Sequence, residues 1–255
     1  MTYCLSIRVD QGLVFASDSR TNAGPDQVST FSKMHTFELE DRVFTLLTSG
    51  NLATSQAVLR QIRRDSENRS KRCLESVKDL AEAAEYVGAL SRGEQKKHRS
   101  GKDDVFNPEA SFILGGQIQG RQHQIYQIYP EGNYIAATLQ TPYLQIGELK
   151  YGKPILDRII REDLSLELAA RCALVSMDST IRSNATVGPP IELMVYPVNS
   201  LKPGKRLVLT EDNPYLSELR RAWHEGLKAT FDQLPQVPFN RPAVQLVEAQ
   251  ADTKS

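Results

Sequence analysis

Cysteine is scarce in this chain. Its 255 residues include only Cys4, Cys73 and Cys172, with no C-x-x-C pair among them. That pattern excludes a disulfide framework and reads as three small core thiols in a reduced, cytoplasmic protein. Histidine is scarce too. None of His35, His98, His123 and His224 stands at ligand spacing from another His, Cys or carboxylate, so no metal and no cofactor is expected. G-x-S-x-G is absent, which removes the strand-to-helix nucleophile elbow. Leu114–Arg121 is glycine-rich, but it lacks the Lys-Ser/Thr ending of a phosphate loop and is followed by a strand. No apolar run approaches the roughly 20 residues that span a bilayer, and Arg8 and Asp10 interrupt the stretch where a signal peptide would stand. Net charge is missing as well, with 31 basic and 31 acidic residues. That balance argues against nucleic acid or an anionic membrane as the main partner.

What remains is an ordinary globular mixture, 40% hydrophobic and 24% charged, in a chain long enough to bury a full core. The first fifty residues read as strands: Thr2 to Val9, a turn at Asp10-Gln11-Gly12, Leu13 to Ser17, then Lys33 to Leu39 and Val43 to Thr48. Thr21 to Ser32 reads as a loop. After Gly50 the apolar period lengthens to that of a helix ending near Asp65. Leu74, Val77, Leu80, Ala84 and Val87 mark a second helix. Ser91 to Asn107 is polar and reads as a solvated loop. Strands are expected at Ala110–Ile118, His123–Ile128, Tyr134–Thr138 and Tyr143–Ile146. Two helices follow, one begun near Pro154 and one capped by Ser165. Two more strands, Ile191–Tyr196 and Arg206–Leu209, precede a last helix opened by Asn213-Pro214. Strand runs alternating with helix pairs predict an α+β fold of sheets packed between helical layers. One domain over 1–234 and a proline-containing tail over 235–255 are expected.

The residues that attract chemistry cluster early. Met1 precedes Thr2, whose small side chain permits methionine removal, and Thr2 opens a strand directly. Asp18-Ser19-Arg20 ends the second strand of the same hairpin, and Lys33 stands in an otherwise apolar hairpin. Singly these are bland. Asp18 reads as a turn-side carboxylate, Lys33 as a charge on an edge strand, and Gly50 as a strand-to-helix turn.

Together they carry a resemblance. The run TYCLSIRVDQGLVFASDSRTNAG, then FSKMHTFELEDRVFTLLTSGNLAT, resembles the β-type subunits of proteasomes and the HslV peptidase. It resembles still more closely the bacterial proteasome-type proteases called Anbu, over about residues 2–200. The resemblance implies a four-layer αββα N-terminal-nucleophile hydrolase fold with an extra C-terminal helix. It implies a self-assembling homo-oligomer, ring-like or helical, that hydrolyses peptides or unfolded protein. Whether an ATPase partner exists is open. It also implies roles. A threonine hydroxyl needs an adjacent base, and the free α-amine of Thr2, with a pKa near roughly 7.7–8.0, can be one. Lys33 would keep that amine unprotonated, Asp18 would hold Lys33, and the Gly50 N–H would receive the oxyanion. Thr21, Phe31, His35, Thr48 and Leu52 would surround the substrate pocket.

The chain departs from the family's pattern in two places. Ser183 stands where an aspartate is usual, with Thr186 in place of a later serine; the resemblance implies that a hydroxyl there still hydrogen-bonds the Thr2 amine but brings no negative charge. Gly147 and Glu148 stand where a serine is usual. These departures leave two further readings open. One is an amidase or transpeptidase acting on a small amide; the other is a catalytically silent assembly subunit.

Overall fold

The computed structural model of the chain describes residues 2–22, 28–98 and 107–237. In chain order it runs β1 (Tyr3–Val9), β2 (Gly12–Asp18), β3 (Arg20–Asn22), β4 (Val28–Thr30), β5 (Met34–Glu38) and β6 (Arg42–Gly50). The helices α1 (Leu52–Glu67) and α2 (Leu80–His98) come next, then β7 (Ala110–Ile118), β8 (Gln124–Ile128), β9 (Tyr134–Ala136) and β10 (Tyr143–Gly147). The chain closes with α3 (Lys153–Ile159), α4 (Leu166–Ser183), β11 (Ile191–Pro197), β12 (Lys205–Leu209) and α5 (Pro214–Asp232).

Two five-stranded antiparallel sheets result, ordered β10-β1-β2-β11-β12 and β5-β6-β7-β8-β9. Alternation along each strand sorts the side chains into layers. On β1, Tyr3, Leu5, Ile7 and Val9 pack with residues of α3 and α4, whereas Cys4 faces the opposite sheet. On β2, Val14 and Ala16 share the helical side and Leu13 and Phe15 the inter-sheet side. In the second sheet Phe44, Leu46, Phe112 and Leu114 meet α1 and α2, and Val43, Leu47 and Ile113 meet the first sheet. The order is helices, sheet, sheet, helices. A central strand therefore buries both faces and reads as an apolar run.

The helices follow local chemistry. The Asn51 side chain accepts from the Thr54 N–H and caps α1, which buries Thr54, Ser55, Val58, Leu59 and Ile62 along one face. Ser165 caps α4 in the same way. Asn213 caps α5, but only Leu216 of that helix is buried. Arg220 ties α5 to Asp178 of α4 at 2.7 Å. The apolar stripe continues outward to the exposed Leu227 and Phe231.

Three expectations change. The stretch read as a loop after Thr21 contains a hairpin, in which β3 pairs with β4 outside the two main sheets; residues 23–27 lie outside the described ones. Helix α2 runs on to His98, through much of the expected polar loop. There Gln95 is buried, and it donates to Ser91 Oγ and the Pro130 carbonyl, so a polar residue fills a core position. Leu74 and Val77 are buried ahead of α2 and not within it. The expected tail lies outside the described residues from 238 onward.

Candidate active site

Thr2 stands just ahead of β1, and its backbone is held by both neighbouring strands. The Thr2 carbonyl accepts from the Glu148 N–H at 2.7 Å. The Tyr3 N–H donates to Asp18 Oδ1 at 3.0 Å. Gly147 makes the first contact possible. Its φ is +85°, and a Cβ there would stand 2.0 Å from the Thr2 carbonyl oxygen.

Lys33 lies just before β5 and reaches across to the other sheet. Its Nζ donates to Asp18 Oδ1 at 2.8 Å and to the Arg20 carbonyl at 2.6 Å. Asp18 also accepts from the Gly188 N–H at 3.4 Å, so the carboxylate joins the ends of β1 and β2 to the loop after α4. Burial pushes the Asp18 carboxyl above its ordinary value, and the Lys33 ammonium pulls it back.

Gly50 ends β6 at a φ of +94°. The next residue, Asn51, donates its N–H to the Glu109 carbonyl, so alternation of the antiparallel ladder turns the Gly50 N–H away from β7. The Thr48 N–H, two residues earlier, points the same way and meets the Lys33 carbonyl. Beyond that contact β5 has not begun, and the Gly50 N–H faces open space.

That space is a cavity of about 220 Å³. Of the residues expected from the sequence, Thr2, Thr21, Lys33, Thr48, Gly50 and Leu52 line it. Asp18 lies beneath, fully buried. Phe31, His35, Ser183 and Thr186 do not line it. Phe31 is 40% exposed. His35 pairs with Leu46 across β5 and β6 and is half-buried. Ser183 is the last residue of α4 and is exposed. Thr186 Oγ1 donates to Asn184 Oδ1 at 2.6 Å.

Arg20, Ser49, Ser55 and Gly147 also line the cavity, although the sequence reading does not assign them to it. Ser55 carries a signal, since it follows Leu52 by three residues and so shares its helix face. Arg20 follows Asp18 by two residues; its Nη1 donates to the Ala185 carbonyl at 2.9 Å. Among the described residues, no group of His, Cys, Asp and Glu is placed to hold a metal ion, and no helix is long and apolar enough to cross a membrane.

The family model for proteasome subunits matches residues 2–196, the stretch that contains both sheets up to β11 and the whole cavity. The chain belongs to the proteasome family. Within that family it is similar to Anbu, the ancestral β-subunit, from Yersinia bercovieri, at 44% identity and a TM-score of 0.88, over 94% of this chain and 100% of that one. It is similar to Anbu from Pseudomonas aeruginosa, solved as a helical assembly, at 45% identity and a TM-score of 0.88, over 93% and 99% of the two chains. Anbu from Hyphomicrobium sp. strain MC1 matches at 38% identity and a TM-score of 0.85, over 93% and 100%. No curated protein matches. The departure at Glu148 thus sits inside a proteasome-family fold, hydrogen-bonded to the backbone of Thr2.

Proposed function

We propose that this chain is the subunit of a self-assembling threonine peptidase whose nucleophile is Thr2, exposed by removal of Met1. One observation carries the reading. Thr2, Lys33 and Gly50 line a single cavity, with the Lys33 ammonium fixed by a buried carboxylate.

The chemistry follows from those positions. The neutral α-amine takes the proton of the Thr2 hydroxyl as Oγ attacks the amide carbonyl. The Gly50 N–H receives the oxyanion, and the Lys33 charge favours both the unprotonated amine and the developing alkoxide. Collapse returns the proton to the leaving amine and leaves an ester on Thr2, which water hydrolyses. The substrate is a peptide or unfolded protein, and the active form is a homo-oligomer, as the helical assembly of a relative suggests. The small cavity, edged by the hydroxyls of Thr21, Thr48, Ser49 and Ser55, keeps hydrolysis of a small polar amide as a second reading.

The test compares chain with and without Met1, matched for oligomeric state, on a broad peptide panel and with a hydroxyl-reactive inhibitor. General-base assistance is worth about 10²–10⁴-fold, so the Met1-bearing form should be nearly inert. Thr2→Ser should retain some activity and Thr2→Ala none. Equal hydrolysis by both forms overturns the mechanism.

A further inference from the structure

Glu148 is a buried carboxylate whose side-chain hydrogen bonds among the described residues come from neutral donors alone. It immediately follows β10, and the register that pairs Tyr3 with Gly147 brings it opposite Thr2. Its N–H holds the Thr2 carbonyl. Its side chain turns inward, where Oε1 accepts from the Lys150 N–H and Oε2 from Asn184 Nδ2, both at 2.9 Å. Both donors are neutral, and the Lys150 side chain is exposed. Asn184 in turn accepts from the Thr186 N–H and hydroxyl. Glu148 and Thr186, one residue from each place where the sequence leaves the family's pattern, are therefore joined through Asn184 in one hydrogen-bonded unit, with the carboxylate at the strand end.

We propose that Glu148 is a positioning residue that fixes the backbone of Thr2 and raises the proton affinity of the Thr2 α-amine in the processed chain. This rests on Thr2 being the terminal residue of the working form. A carboxylate in a low-dielectric wall favours a nearby cation, so Glu148 opposes Lys33. The other charged groups on the surrounding elements are Asp18 of β2, Arg20 of β3, Glu109 ahead of β7 and Arg182 in the last turn of α4; Arg182 is exposed. The end of β6, the first turn of α1 and residues 184–188 bring none. Asp18 is engaged by Lys33 and Arg20 by the Ala185 carbonyl, and the buried Glu148 carboxylate keeps only neutral donors among the described residues. The amine's titration is then set between Lys33 on one side and Glu148 on the other.

The experiment titrates the amine itself. Full-length protein with Thr2 at its terminus is made by cleavage of an N-terminal ubiquitin fusion. The pH dependence of acetic anhydride labelling of Thr2 is read from the mass of the N-terminal peptide. Glu148→Gln keeps the backbone donor and a side-chain acceptor for Asn184 but removes the charge. Its amine pKa should fall by about one unit, while Glu148→Asp should stay near wild type. An unchanged amine pKa in folded Glu148→Gln overturns the inference. Should that variant fail to fold, Asn184→Leu serves. It strips one neutral donor from the carboxylate, the amine pKa should rise, and no change overturns the inference. A shifted amine pKa in protein that cleaves nothing supports this inference and counts against the peptidase reading. An unchanged pKa with intact hydrolysis does the reverse.

Discussion

Lys33 and Asp18 form a salt bridge of 2.8 Å in which the lysine side chain is 7% exposed and the aspartate 0%. The pair joins the two sheets at the one end where Thr2 lies. Its partners are complete, since the carboxylate also takes the Tyr3 and Gly188 N–H groups. It is therefore structural and electrostatic at once, and the two roles can be separated.

Lys33→Met should destabilise the fold by about 3 kcal/mol, because it strands a buried carboxylate. Adding Asp18→Asn should recover most of that loss. Both variants should fail to react with a hydroxyl-directed inhibitor, because neither supplies the charge. Urea midpoints with inhibitor labelling check this; a labelled double variant would show that the charge is dispensable.

Gly50→Ala should cost about 2 kcal/mol or more. The left-handed φ strains any side chain, and a Cβ would stand 2.4 Å from the Glu109 carbonyl oxygen. Gly226, inside exposed α5, is the control, because a Cβ there would meet nothing within 4 Å. Gly226→Ala should be neutral or stabilising by up to about 1 kcal/mol. The two melting temperatures should move in opposite directions or differ by several degrees.

His35 supplies a pH dependence. Burial, then the nearby Arg63 guanidinium, pushes its pKa down to about 4, against an ordinary value of about 6.5. The unfolded chain thus binds the proton more readily. The neutral ring's contribution is complete well above about pH 6.5 and is lost as pH falls from there towards 4, the loss reaching about 2 kcal/mol by about pH 5. His35→Gln should flatten that part of the stability profile between pH 7.5 and 5. An unchanged slope in the variant would assign the dependence to other groups.

Much of the fold is legible because the strands that matter are short apolar runs broken by clear turns, as at Asp10-Gln11-Gly12, and because Ser165 and Asn213 announce their helices. What escapes the sequence has a common cause. Gln95 and Ser91 place polar atoms where a helix normally shows apolar ones, so the apolar period stops before α2 does. The β3–β4 hairpin is written almost wholly in polar residues, Arg20-Thr21-Asn22 and then Ser29-Thr30, and leaves no periodic trace. At the site, Asp18, Lys33 and Gly50 are near in sequence and fall into a recognisable spacing. Glu148 and Asn184 are 36 positions apart. Their contact depends on β10 lying beside β1 with α4 ending above it, which no local pattern encodes.

The position of β1 has one more consequence. It is hydrogen-bonded along its length to β10 on one side and β2 on the other, so the strand that bears Thr2 has no free edge. Its amides should exchange only when the edge strand β10 peels from it or when it parts from β2, openings that cost more than fraying of a free edge. Thr2 is thus carried at the end of an interior strand, and any change in the cavity's shape must come from its other walls, the start of α1 and the β3–β4 hairpin.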